Sequence, residues 1–273
     1  MAGSGLLLDK SIGSGVLAVP AIAMALGRLS GNRTRDIALA TVALLFTALT
    51  TVLLVWDLDH KERFLRVVFT PQSKSWLARG AFILIAYSGL SGVFWLSAVA
   101  GFSILTSVLL WPTVLVGFCA AAYTAFLFGQ CEGRDLWQTP LLPVHLIIQA
   151  LLCGSAVLTL LPDAIGGSTQ ALAFAVPTLL INLVLHLLML LGEVAMPHTT
   201  DNASYGARLM THGPFAGAFW GGAVVLGGIV PLLLLLVGGP GRFAAGLASV
   251  LALVGLLIFE WCFVMAGQSV PNS

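Results

Sequence analysis

Residues 80–128, GAFILIAYSGLSGVFWLSAVAGFSILTSVLLWPTVLVGFCAAAYTAFLF, run without an acidic, basic or histidine side chain. Wound as one helix at about 1.5 Å per residue, this stretch would be roughly 70 Å long, more than twice the roughly 30 Å of a bilayer's hydrocarbon core. It therefore reads as two crossings, 80–102 and 104–128, with a break around Gly101 to Thr106. Comparable apolar runs at 5–27, 36–56, 140–162, 170–193, 215–237 and 244–266 bring the number of crossings to eight. Glycine and proline inside such runs are ordinary for spanning helices, since neighbouring helices and hydroxyl side chains satisfy the freed backbone groups. Strands are not indicated, and the expected fold class is an all-α integral membrane protein.

Composition agrees. Of 273 residues 59% are hydrophobic and 8% charged, with a mean hydropathy of +1.02, against about 25% charged residues in soluble domains. Twelve Lys+Arg against eleven Asp+Glu leave a net charge of +1, so there is no basic field for nucleic acid. Cys119, Cys131, Cys153 and Cys262 fall in or beside apolar runs with no CxxC spacing. They read as free, buried thiols rather than zinc or iron–sulfur ligands. The N-terminal run is interrupted by Asp9-Lys10 and lacks a signal peptide's basic region and small-residue cleavage site, so it is taken as the first crossing.

Let X be the face that holds the N-terminus and Y the other. Side X then carries the segments 57–79, 129–139 and 194–214, while side Y has short turns. The longest X segment interleaves charges with Phe64, Leu65, Val67, Val68, Phe69 and Trp76, a pattern suited to a surface-lying amphipathic segment or a docking platform. Eight of the twelve basic residues fall on X, which by the positive-inside rule favours a cytoplasmic X face.

Counting along antiparallel crossings gives the depth of each polar side chain. Asp9, Lys10 and Ser14 lie early in the first span, Tyr87 early in the third, Tyr123 late in the fourth and His145 early in the fifth. His186 and Glu193 come late in the sixth span, and Glu260 late in the eighth. All belong to the X half. Ionisable groups within spans are costly and mark an interior, a partner or a pathway; gathered in one half, they describe a polar cup open toward X. A transporter would place its site near the midplane on broken, repeated helices. A quinone head suits a one-sided cup, since Lys, Tyr and His donate to its carbonyls and Asp, Glu or His accept protons. Simpler readings stand beside this one: snorkelling for Lys10, an interfacial belt for Tyr123 and a loop ion pair for Arg134 and Asp135. His145 and His186, at similar depth on adjacent spans, are either b-haem ligands or a hydrogen-bonded interhelical pair.

Three segments carry a family resemblance: DLDHKERFLRVVFTPQSKSWLARGAFIL (57–84), GQCEGRDLWQTPLLPVHLIIQALLCG (129–154) and DKSIGSG (9–15). With an acidic span end, an E-R-F run, a proline and S-W-x-x-R-G opening the next span, the chain resembles the NrfD/PsrC-type family, the membrane subunits of polysulfide reductase and related molybdopterin enzymes. The resemblance implies two four-helix bundles, here 5–128 with the amphipathic segment 57–79, and 140–266. It implies no haem or metal in this chain and a quinone, menaquinone or ubiquinone, bound near the face where a ferredoxin-like iron–sulfur subunit docks. That subunit would touch a molybdopterin or multihaem cytochrome subunit. The family's first-span polar residue and fourth-span tyrosine map to Asp9/Lys10 and Tyr123; where the polysulfide reductase type has a first-span histidine, this chain offers Asp9, Lys10, Ser11 and Ser14. Many members face the periplasm, opposite to the charge bias.

The expectation is a quinone-reactive subunit in a prokaryotic plasma membrane, surrounded by lipid. Its quinone-binding candidates are Asp9, Lys10, Ser14, Tyr123, Arg134, Asp135 and His145. The proton-transfer candidates are Asp57, Asp59, His186, Glu193 and Glu260. A di-histidine haem carrier and a multi-pass transporter are the competing readings.

Overall fold

A computed structural model describes residues 2–56, 72, 75–161, 169–198, 200–238 and 241–270. Eight helices are long and apolar enough to cross a membrane, and among the described residues there is no strand. They are α1 (Ala2–Ala25), α2 (Arg33–Trp56), α3 (Trp76–Ala100), α4 (Ser103–Gly129), α5 (Leu142–Leu160), α6 (Thr169–Ala195), α8 (Ala218–Gly238) and α9 (Arg242–Ser269). The chain is a multi-pass membrane protein.

The break in the apolar stretch falls at Gly101. There φ is +82°, the Gly101 N–H bonds the Ala98 carbonyl at 3.2 Å and the Phe102 N–H bonds that of Ser97 at 2.9 Å. This is a Schellman ending, and the left-handed position at its heart favours glycine. Only Phe102 separates it from Ser103, where α4 begins.

Two elements were not expected. A 3₁₀ turn, Asp135–Gln138, precedes α5, and a short helix, α7 (Asp201–Thr211), occupies the X-side segment before α8. Thr200 caps α7 by accepting from the Ala203 N–H at 3.2 Å. A hydropathy reading passes over α7 because its eleven residues are too few and too polar to span. The first half of α8, Ala218–Ile229, is wound as a π-helix, so that the Val230 N–H reaches back to the Val225 carbonyl.

The largest helix interface joins α1 to α5; α1 also packs on α2, α4 and α9, and α5 on α4, α6 and α9. Both are enclosed on nearly all sides, whereas α2 and α8 leave most of their surface outward. Outward side chains such as Leu45, Leu49, Ile85, Leu96 and Leu115 are apolar, as a bilayer requires. Cys153 and Cys262 are buried as expected, but Cys119 faces outward, a correction that follows from its place on the lipid side of α4.

At the α1–α5 crossing the two backbones touch. A methyl on Gly15 would fall on the Ala150 carbonyl, and one on Gly154 on the Gly15 carbonyl. Small residues at such a crossing let helices associate by close packing where lipid offers no hydrophobic drive. Gly154→Ala should therefore destabilise the protein by about 1–3 kcal/mol, the usual range for overpacking, whereas Gly89→Ala, which meets nothing within 4 Å, should leave it unchanged or slightly stabilised. Thermal unfolding of the two variants in the same detergent measures the contrast.

Candidate functional site

α1 brings Lys10 into the interior, 3% exposed. Its ammonium donates to the Thr124 hydroxyl of α4 and lies 4.8 Å from the centroid of the Tyr123 ring, a cation–π contact strengthened by burial. The Tyr123 ring has room because residue 80 is glycine; a Cβ there would overlap the ring. The S-W-x-x-R-G segment thus has a physical reading. Ser75 caps α3, Trp76 stacks on Phe126 at 4.5 Å with Arg79 over its ring, and Gly80 seats the tyrosine. From α3, the Tyr87 hydroxyl donates to the Gly13 carbonyl at 2.5 Å. The Ser14 hydroxyl donates to the Lys10 carbonyl at 2.8 Å, so its proton is held by its own helix. Asp9 is half-buried beside this group.

α9 contributes Glu260, 1% exposed, whose two carboxylate oxygens have no hydrogen-bond partner among the described residues. Lys10 and Asp9 are within its electrostatic reach. Ser11 Oγ on α1 and Gln149 Oε1 on α5 are likewise buried and unpartnered among the described residues. Three packed helices therefore present polar atoms that call for water or a ligand.

His145 Nε2 and His186 Nδ1 lie 2.8 Å apart, and both rings rest on Phe259, one residue before Glu260. The two nitrogens share one hydrogen bond, so one imidazole donates and the other accepts. Of the two sequence readings, this geometry is that of the interhelical pair. Farther toward X, Glu193 accepts from the Thr139 hydroxyl at 3.2 Å and lines a cleft of about 240 Å³ with Asp135, Gln138 and His198.

Lys10, in contact with Tyr123, thus lies in the interior within electrostatic reach of Glu260, with Ser14 bound into the wall, while His145 and His186 pair with each other against Phe259, the residue before Glu260 on α9. Arg134 and Asp135 do not join them, nor do they pair with each other. Arg134 Nη1 lies 3.2, 2.9 and 2.5 Å from the carbonyl oxygens of Gly267, Gln268 and Val270, neutralising the C-terminus of α9. Asp135 accepts from the Thr200 hydroxyl at 2.6 Å. Next to them Trp137 lies against Gly267, stacks on Phe128 at 4.9 Å and donates to the Phe263 carbonyl at 3.3 Å. Asp57 and Asp59 lie outside the described residues.

Sequence reading missed Thr124 and Gln149. Hydroxyls are too common in spans to stand out, but Gln149 follows His145 by one turn on the buried face of α5, a spacing that could have flagged it. Among the described residues, no three His, Cys, Asp or Glu side chains form a metal-binding group.

The sequence profile of the family described as "Polysulphide reductase, NrfD" matches residues 6–272. The chain belongs to the NrfD family. A relative from Mesobacillus selenatarsenatis, one of the subunits of a selenate reductase, is 25% identical over 157 residues, 55% of this NrfD-family chain and 36% of the relative. The match thus spans little more than a third of that protein.

In this NrfD-family chain, Arg134→Ala should cost about 1.5–3 kcal/mol, the range for hydrogen bonds to a charged group. The expected result is a lower unfolding temperature with unchanged helix content by circular dichroism.

Proposed function

We propose that the protein is the quinone-reactive membrane subunit of a respiratory oxidoreductase complex. The observation that carries this reading is the buried contact of Lys10 with Thr124 and the Tyr123 ring, next to a Glu260 carboxylate left without a partner among the described residues. The donor set fits a quinone head: lysine and tyrosine can donate to its oxygens, and the orphaned acceptors can receive protons. Bound there, the quinone, menaquinone or ubiquinone, would supply two-electron, two-proton redox chemistry. Lys10 and Tyr123 would orient the head, and Asp9 would help set the charge around it. Glu260 and the His145–His186 pair would hold the protons, and Glu193, beside the X-side cleft, would pass them to the surface together with Asp57 and Asp59.

Family membership supports the wider assignment. The partners would be a ferredoxin-like iron–sulfur subunit docked on X and, beyond it, a molybdopterin or multihaem cytochrome subunit. The location would be a prokaryotic plasma membrane. In this reading α1–α4 form one four-helix bundle and α5, α6, α8 and α9 the other, with the site at their junction. Arg134 then acts on the site indirectly, through the end of α9, and Asp135 through Thr200 at the start of α7.

Lys10→Ala and Tyr123→Phe should each lower quinol-dependent turnover of the assembled complex by about tenfold or more, the equivalent of one charge-assisted hydrogen bond. Steady-state kinetics on membranes, with the amount of each protein in the complex checked by immunoblot, measures this. Full turnover in both variants with the complex intact would remove the site assignment.

A further inference from the structure

On the Y side of the histidine pair the interior stays polar for one more turn. The consecutive spans α5 and α6 pack against each other, and the antiparallel register that brings His145 against His186 sets Gln149, one turn on along α5, level with Asn182, one turn back along α6. Both are buried, 1% and 3% exposed. Gln149 Oε1 and Asn182 Oδ1 each lack a hydrogen-bond partner among the described residues. The orientation of Asn182 is not arbitrary: its Nδ2 donates to the Thr178 carbonyl at 2.8 Å, and the amide turned over would set oxygen against oxygen. The nearby hydroxyls do not answer these acceptors, since those of Thr178 and Ser155 donate to the Phe174 and Leu151 carbonyls, each at 2.7 Å.

Buried acceptors without a donor are costly. A metal cation would want about six oxygens, whereas a buried water is content with about three partners. Water has two O–H groups, one for each amide oxygen. Having given both, it can only accept from a third group. Side chains lean toward the N-terminus of their own helix, so Gln149 leans toward X and His186 toward Y, which makes the His186 ring the third group. Its Nδ1 already faces His145 Nε2, leaving Nε2 to donate. A neutral imidazole protonated on Nε2 has a bare Nδ1, so the His145 Nε2–H must donate to it, and His145 Nδ1 is left bare in turn.

We propose that Gln149 and Asn182 hold a water against His186 Nε2, and that this water fixes both imidazoles as Nε2–H tautomers with His145 Nδ1 as the open, proton-accepting end of the pair. Gln149 and Asn182 are then positioning residues. The water and the tautomers stand without the quinone reading; only the source of a proton reaching His145 Nδ1 rests on it.

The test uses the full chain in its complex and involves no turnover, so its failure is separate from that of the quinone site. An electron cryomicroscopy map fine enough to show waters should place one within hydrogen-bond distance of both amide oxygens and of His186 Nε2. In ¹⁵N-histidine spectra, the two signals lost in His145→Gln and His186→Gln should show the proton on Nε2 in the wild type, outnumbering the Nδ1–H form at least about fivefold, the factor one hydrogen bond is worth. Asn182→Leu and Gln149→Met, which keep the size of each side chain and remove one acceptor, should each bring the two forms to comparable amounts. Amide oxygens bonded to protein donors or to a many-liganded ion in the map, protons on Nδ1 in the wild type, or a tautomer ratio unmoved in both variants would each overturn the proposal. The wild-type map and spectrum decide it even if a variant fails to assemble.

Discussion

The contact of two backbones at Gly15, Ala150 and Gly154 is the constraint on which the rest of the structure depends. In a bilayer the lipid chains are as apolar as leucine, so helices associate through close fit and polar contacts rather than expulsion from water. Removing the side chains at one crossing lets α1 sink against α5 until carbonyl and α-carbon touch. That contact draws α1 into the middle of the protein, where it meets α2, α4 and α9 as well. Most residues on α1 are therefore surrounded by protein, although Asp9 is only half-buried.

This position explains why Lys10 cannot be only a snorkelling lysine. At the periphery its ammonium would rise along the helix to the head groups. Enclosed as it is, it finds Thr124, the face of Tyr123 and the field of Glu260 instead. Glycine recurs in a second role, as absence: Gly80 makes the hollow for the Tyr123 ring and Gly267 the one for Trp137. The geometry of the polar interior is thus set as much by missing side chains as by the ones that carry the chemistry.

The crossings were legible because hydropathy and length are enough in a membrane. The break at Gly101 was legible because a stretch from 80 to 128 cannot be one span. Depth counting also brought His145 and His186 to one level, and they are hydrogen-bonded to each other. What could not be read was lateral: which helix end lies beside a given loop. Arg134 looks like a loop ion pair in sequence, and only the return of α9 beside it gives it three carbonyls to hold. Arg35 looks like a surface charge until the turn from Met24 to Ser30 folds over it. Thr124 carries no signal by itself, because its role comes from a lysine on another helix.

The meeting of α1 with α9 bears on how the protein is made. Lys10 and Glu260 are separated by 250 residues, so the helix with the buried amine enters the membrane long before the one with the carboxylate. Until α9 arrives, Lys10 must be kept in the bilayer by Thr124 and the aromatic ring, and before α4 emerges by its stem reaching for the surface. Contacts this distant in sequence form late and slowly. Lys10 and Glu260 come within electrostatic reach of each other only when the last helix has closed on the Arg134 clamp, so their approach marks finished assembly.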